Sequence, residues 1–504
     1  MATTPVAINN EKIPLLSSLS SNGNVPAWKA IQKEICSKQQ RIWAVTLFSV
    51  MAASTSLLAG YTLAYPSWAI LDLRGLGDAR SFKHNKLMEG LFGAMSPIGA
   101  VFGGLIAGWS ADCIGRKPSL LLTAVPSTIG WSAIGATYFI ENKLAFDAVI
   151  LIGRFLTGFG IGWSMFCAPV YIAEVSSPAL RGLFSSLPLF VMNIGILLVY
   201  SLGMVSFIKF YHTAFIAAII SVIIFLATII MPESPRFLIM KKNTAKAMRV
   251  IKQLRGPRGN VNEEFEEISY AVAMQSDLSF CQVIKKFKQR QVWLPFVLLM
   301  FIMFFRQFSG INALIFYADP ILKKAGLKHV KFIALMTVGV AEVVLTFVSI
   351  LVVDLFGRKI LLVVSALIMS ISSGGLGVSS YFDNDCMPCP SMNYLMIASL
   401  ALFIIGVSIG FDSIPYILIP ELIPLDVRGA LGGILSAFHW LCAVFVAGLY
   451  LLCAGFDGAI TWWTFAFFNL ASFAFVAAFL PETKGKKLES VGRELSPQRY
   501  RLCS

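Results

Sequence analysis

Pro232-Glu233-Ser234-Pro235-Arg236 opens the stretch whose reading decides the fold. From Pro232 to Arg290 the chain is polar and dense in charge, with twelve Lys or Arg, among them Lys241, Lys242, Arg249, Arg255, Lys285 and Arg290. Nothing else in the interior of the sequence is like it. Six hydrophobic segments precede it and six follow. It reads as a polar hinge on the cytoplasmic side, joining two halves of a membrane protein. The expected division is a tail at 1–41, a first half at 42–231, a helical linker at 232–290, a second half at 291–480 and a tail at 481–504.

Working outward, the 504 residues are 57% hydrophobic and only 13% charged, with a mean hydropathy of +0.75. A soluble fold has too little interior for that much apolar surface. The net charge of +14 does not indicate nucleic acid, because the basic residues lie in loops between apolar runs and form no patch interleaved with aromatics. Cys167, Cys442 and Cys453 lie inside apolar runs and act there as small fillers. Cys386 and Cys389 form a close pair in a short loop, open to a local disulfide or to free thiols. No His stands near them to complete a zinc site, and no cofactor motif, phosphate loop or nucleophile–base set is found. An enzyme is therefore not expected.

The tail at 1–41 lacks the apolar core of a cleavable signal, so the first membrane segment is expected to direct insertion. Glu11 followed by Leu15-Leu16 has the spacing of an acidic dileucine sorting signal for adaptor proteins; a plain disordered tail is the other reading. Segments of spanning length then run at about 42–65, 88–110, 118–139, 146–172, 184–206 and 212–231, and at about 292–318, 331–353, 360–382, 393–419, 430–453 and 459–480. An even number puts both termini on one side. Of 41 Lys and Arg, 29 fall on that side and ten on the other, while Arg154 and Arg306 lie within segments. The positive-inside bias then places both termini in the cytoplasm.

The halves repeat. Asp112, Gly115, Arg116 and Lys117 correspond to Asp354, Gly357, Arg358 and Lys359, offset by 242. Glu174 with Arg181 corresponds to Glu421 with Arg428, offset by 247, and Pro232-Glu233-Ser234 to Pro481-Glu482-Thr483, offset by 249. Duplicated six-helix halves with a site at their interface are a transporter plan. All these motifs, Arg236 included, fall on inner loops, where carboxylates and guanidiniums pair across helix ends. Such pairs would hold the inner side closed while the outside is open. The plainer reading makes them topology anchors.

These motifs, together with Gly153-Arg154, Gly158-Phe159-Gly160-Ile161-Gly162, Pro169-Val170-Tyr171, Gln307-Phe308-Ser309-Gly310-Ile311-Asn312 and Pro481-Glu482-Thr483-Lys484-Gly485, resemble the sugar porter family of the major facilitator superfamily over roughly 40–490. The style is closest to animal facilitative glucose carriers and insect trehalose carriers. The resemblance implies an all-α integral membrane protein of the major facilitator fold, with twelve transmembrane helices in two six-helix pseudo-repeats. It further implies a small-molecule sugar substrate, no cofactor, alternating access, and the plasma membrane as location.

In that family, polar side chains of helices 5, 7, 8, 10 and 11 bind sugar hydroxyls, since buried amides left unpaired are costly. The resemblance assigns Gln307 and Asn312 to the amides of helix 7, Tyr317 to an aromatic near the outer gate and Trp440 to the stacking Trp of helix 11. Tyr416 stands where helix 10 usually offers Trp. Four positions depart: Leu189 for the polar residue of helix 5, Arg306 for a Gln, Glu342 for an Asn and His439 for an Asn. Asp412 also enters a Gly- and Pro-containing stretch.

Ionised groups at membrane depth need partners. The favoured expectation pairs Arg306 with Glu342. The alternative pairs Arg306 with Asp412 and leaves Glu342 to titrate near His439, which would couple transport to protons; an Arg306 free for an anionic substrate is a third. Gly60-Tyr61-Thr62 has Thr where proton-coupled relatives carry Asp, which favours facilitated diffusion of a hexose or a disaccharide. A sensor that binds sugar without moving it is the remaining class, and the tails of about 41 and 24 residues leave little room for a signalling domain.

Overall fold

The computed structural model describes residues 42–76, 80–83, 85–176, 184–256, 261–273, 280–324, 329–385, 390–424, 427–454 and 458–482. Within them, twelve helices are long and apolar enough to cross a membrane. The first half holds spans one to six, at Trp43–Arg74, Lys86–Cys113, Arg116–Phe139, Lys143–Val175, Leu187–Met204 and Phe210–Ile230. Spans seven to twelve follow at Arg290–Phe316, Val330–Leu351, Arg358–Phe382, Ser391–Ile419, Gly429–Gly448 and Gly458–Phe479. No strand occurs among the described residues. Helices satisfy their own backbone groups, which lipid cannot do. Leu105, Trp109, Ile219, Phe347, Phe445 and Phe467 face outward, as lipid-facing residues of a bundle must.

Among the described residues, three spans contain an internal break or a π-helical stretch, all in the second half. The seventh breaks between Arg290–Phe308 and Ile311–Lys324, where Gly310 takes a φ of +96° that suits glycine. The eighth contains a π-helical stretch at Leu335–Val340, directly before Ala341 and Glu342. In the tenth, a second π stretch at Val407–Phe411 ends at Asp412. Wide turns of this kind insert a residue and re-aim the side chains that follow.

Spans two and four pack backbone to backbone through the Gly158-x-Gly160-x-Gly162 motif. A methyl group on Gly158 would stand 1.9 Å from the Ser96 carbonyl oxygen, and one on Gly162 2.0 Å from that of Ala100. Between the linker helices and span four, Arg255 of the helix Thr244–Arg255 donates to the Val175 carbonyl at 3.1 Å and pairs with Glu264 at 2.6 Å. That helix buries Ala247, Val250, Ile251 and Leu254 along one face.

The halves meet on both sides of the membrane plane. On the linker side, span two lies against span eleven, with the Asp112 carboxylate beside Gly429 and Gly108 beside the Gly429 carbonyl. On the far side, Ile311–Lys324 crosses span one, and the Asp319 N–H donates to Ser67 Oγ at 3.1 Å. Tyr200 of span five donates to the Ile315 carbonyl at 3.1 Å, and Lys331 of span eight to the Gly203 carbonyl at 2.7 Å.

Cys167 and Cys442 are buried free thiols, in keeping with a filler role, and Cys113 is an exposed one. The Cys386 and Cys389 pair, the side chain of Cys453 and the Glu11, Leu15 and Leu16 motif lie outside the described residues.

Candidate substrate site and charged helix ends

Between the halves is a cavity of only about 10 Å³ lined by Arg306, Asn312, Glu342, Tyr416, His439 and Trp440, with Asp412 and the apolar Leu63, Met165, Met192, Ile311 and Ile315. Six of the eight residues expected to contact substrate thus share one site. Gln307 stands directly behind it: its amide oxygen accepts from Asn312, and its Nε2 donates to His439 Nε2 at 2.7 Å. The Tyr317 side chain lies outside the described residues. Leu189 is buried away from the cavity lining. The cavity has room for about one water, so a sugar requires the halves to separate.

The breaks in the helices build this site. Arg306 closes the first part of span seven, and Asn312 opens the second. Arg306 donates from Nε to the Phe411 carbonyl at 2.9 Å and from Nη2 to Asp412 Oδ1 at 3.3 Å. Its guanidinium lies over the Tyr416 ring, 5.2 Å from the centroid. Arg306 Nη1, Gln307 Nε2 and Tyr416 Oη all approach His439 Nε2, at 3.4, 2.7 and 3.2 Å. Guanidinium and amide nitrogens only donate, so this ring nitrogen is the acceptor.

The favoured Arg306–Glu342 pair is not what forms. Arg306 pairs with Asp412, the alternative partner, because the π turn at Val407–Phe411 presents both the Phe411 carbonyl and the Asp412 carboxylate to the guanidinium. The second Asp412 oxygen accepts from Asn193 Nδ2 at 3.2 Å and Thr346 Oγ1 at 3.3 Å. Glu342 is 1% exposed, and its Oε2 has no hydrogen-bond partner. Sequence reasoning missed Asn193 and Thr346. The signal for Asn193 was available: it is the polar residue one turn beyond Leu189, on the same helical face.

Deeper in the first half, Arg154 is fully buried. It donates to the carbonyls of Phe92 at 3.1 Å and Thr62 at 2.9 Å, tying spans one, two and four together.

On the linker side, the duplicated motifs converge within each half. Gly115 has a φ of +112° and Gly357 of +92°, conformations open to glycine, and each turns the chain into the next span. The new helix ends are then capped by a distant carboxylate. Glu233 Oε1 accepts from the backbone N–H of Arg116 and of Lys117, both at 3.1 Å, and from Ser234 at 2.8 Å. Glu482 accepts from Arg358 at 2.9 Å and Lys359 at 3.0 Å. An anion at a helix N-terminus meets unsatisfied N–H groups and the positive end of the dipole. A Cβ at Gly115 would stand 2.4 Å from Glu233 Oε2, so the glycine also makes room for the cap. Burial pushes the Glu233 carboxyl above its usual range, although the N–H groups and Arg116 pull the other way.

The paired acids complete each set. Arg116 Nη2 donates to Glu174 at 3.0 Å, its Nη1 lies 3.4 Å from Asp112 Oδ1, and Arg358 Nη2 donates to Glu421 at 3.1 Å. Glu174 also accepts from Ser234 Oγ. Arg236 stands half-buried in the first turn of Pro235–Met240. Arg181 and the side chains of Asp354 and Arg428 lie outside the described residues.

Twelve spans in two matched halves, a polar and aromatic cavity between them and matched charged helix ends define a transporter of the major facilitator fold. The family model "Sugar (and other) transporter" matches residues 48–495, and the chain belongs to that family. It is 31% identical to the facilitated trehalose transporter Tret1 of Apis mellifera ligustica, over 92% of this chain and 90% of that one. To the transporter of the same name from Culex quinquefasciatus it is 30% identical, over 91% and 88%. The Tret1 of Anopheles gambiae is longer: at 29% identity the match spans 92% of this chain and 57% of that one. Among solved structures, the proton:xylose symporter XylE bound to 6-bromo-6-deoxy-D-glucose superposes with a TM-score of 0.74, at 22% identity, over 90% of this chain and 99% of that one. The chain is thus a multi-pass sugar transporter.

Proposed function

We propose that this chain is a facilitative carrier for trehalose or a related disaccharide or hexose, working by alternating access. The observation that carries the reading is the cavity between the halves, where Asn312, Tyr416, His439 and Trp440 bring hydrogen-bonding groups and aromatic faces to one small volume. Sugars offer hydroxyls to the first and apolar ring faces to the second. The names of the Tret1 relatives support a disaccharide. Facilitated diffusion is supported by Thr62, which places no carboxylate beside Arg154 where proton-coupled relatives carry Asp. An anionic substrate is not favoured, since Arg306 already donates to Asp412 and the Phe411 carbonyl.

On this reading both termini and the linker are cytoplasmic, and the protein works in the plasma membrane. The duplicated charges around Arg116 and Arg358 shape the inner gate: they brace each half, and Asp112 sits where span two meets span eleven. Uptake of labelled trehalose and glucose into proteoliposomes tests the function. Saturable uptake that equilibrates without concentrating, and that ignores an imposed pH gradient, is expected. Accumulation driven by inward protons, or no uptake of either sugar, overturns the reading.

A further inference from the structure

The charges of the cavity are out of balance for a neutral ligand. Two carboxylates, Asp412 and Glu342, face one guanidinium, Arg306. Asp412 takes that guanidinium, and its remaining oxygen is occupied by Asn193 and Thr346. Glu342 is left at 1% exposure, lining the cavity, with Oε2 accepting from nothing. An ionised carboxylate buried without a partner is costly. The site therefore lacks a donor, best a positively charged one.

The chemistry of the substitution points the same way. An amide both donates and accepts, whereas a carboxylate only accepts. A ligand hydroxyl would meet that need in part; an ammonium meets it with three donors and a compensating charge. The indole of Trp440 also lines the cavity, and an aromatic ring there suits a cation, while Arg306 already lies over the Tyr416 ring.

We propose that the cavity takes a sugar or polyol bearing a protonated amine beside its hydroxyls, with Glu342 as the partner of the ammonium. The inference rests on the carrier reading of this cavity and narrows its substrate class.

The test uses the full-length chain in proteoliposomes near neutral pH, with labelled glucose and labelled glucosamine as substrates and N-acetylglucosamine as competitor. N-acetylation removes the charge and keeps the ring. The expected result is that unlabelled glucosamine inhibits labelled uptake at concentrations about tenfold lower than N-acetylglucosamine does, a factor of the size expected for one charge-assisted contact. In Glu342→Gln, and separately in Glu342→Asn, that ratio falls towards one, read as relative ligand-induced thermal stabilisation so that a slow variant still reports. Equal inhibition by both amino-sugar forms, with glucose still carried, overturns the proposal and leaves the carrier reading intact. Proton-driven accumulation of glucose without amine preference, lost in Glu342→Gln, also overturns it by making the proton the missing charge. No uptake of any labelled sugar overturns the carrier reading and the proposal with it.

Discussion

The molecule carries two kinds of buried charge, and they are treated differently. Among the described residues, the duplicated glutamates at the linker side have partners: Glu174 has Arg116, Glu421 has Arg358, and Glu233 and Glu482 each cap a helix end. Among the single-copy carboxylates nearer the pathway, Asp412 is satisfied, but Glu342 Oε2 and Asp319 Oδ1 are not. A satisfied charge holds a shape. An unsatisfied one in a transporter awaits a ligand, a proton or the other conformation, because no fold keeps an idle buried charge without cost. On the proposed carrier reading, the first kind braces each half around the inner gate and the second changes partner during the transport cycle.

The contrast is sharpened by changes that should affect one kind alone. The largest effect is expected for Arg116→Ala, which strands Glu174 at a nearly buried position; about 3–5 kcal/mol of stability should be lost. Thermal unfolding of the purified chain measures it, and a loss below about 1 kcal/mol would remove Arg116 from the framework.

Next comes Asp319, whose carboxyl is pushed by burial from its ordinary 3.8 up to about 7, with Lys331 pulling the other way. In the closed far-side seam it holds a proton that a hydrated Asp releases. The seam is therefore most stable below about pH 4, loses stability as pH rises from about 4 to about 7, and is level above that. Three units correspond to about 4 kcal/mol at most and less once the seam relaxes. Unfolding temperatures measured across that window should fall with rising pH, and Asp319→Asn should flatten the slope. An unchanged slope would assign the effect elsewhere.

The smallest effect compares the two halves directly. Glu233→Gln and Glu482→Gln each weaken a charged helix cap by about 1–2 kcal/mol. The two losses should be similar, because each carboxylate accepts from the first two backbone N–H groups of the span it caps. A large difference between them would break the equivalence of the repeats.

The same contrast explains what was legible in the sequence. Duplicated motifs announce themselves by their offset, and twelve apolar runs state the spans, so the frame could be read from Gly115-Arg116, Gly357-Arg358 and their neighbours. Arg306, Glu342, Asp412 and His439 were also visible, being polar residues in apolar surroundings. Which of them touch could not be read, because the pairing depends on the π stretches before Glu342 and Asp412, and a wide turn leaves no fixed mark in residue type. Asp319 was passed over because the apolar run ends just before it, while the helix continues to Lys324.

The most direct test of this account is a double-mutant cycle on Arg306, read by uptake of labelled sugar and by thermal stability. Arg306→Gln and Asp412→Asn should each be severe, and the two together should recover much of the loss, with a coupling of about 2–3 kcal/mol. Arg306→Gln combined with Glu342→Asn should couple more weakly, because Glu342 shares the cavity with Arg306 without pairing with it. Strong coupling between Arg306 and Glu342, with additivity between Arg306 and Asp412, would contradict the arrangement of the site and the separation of bound from waiting charge built on it.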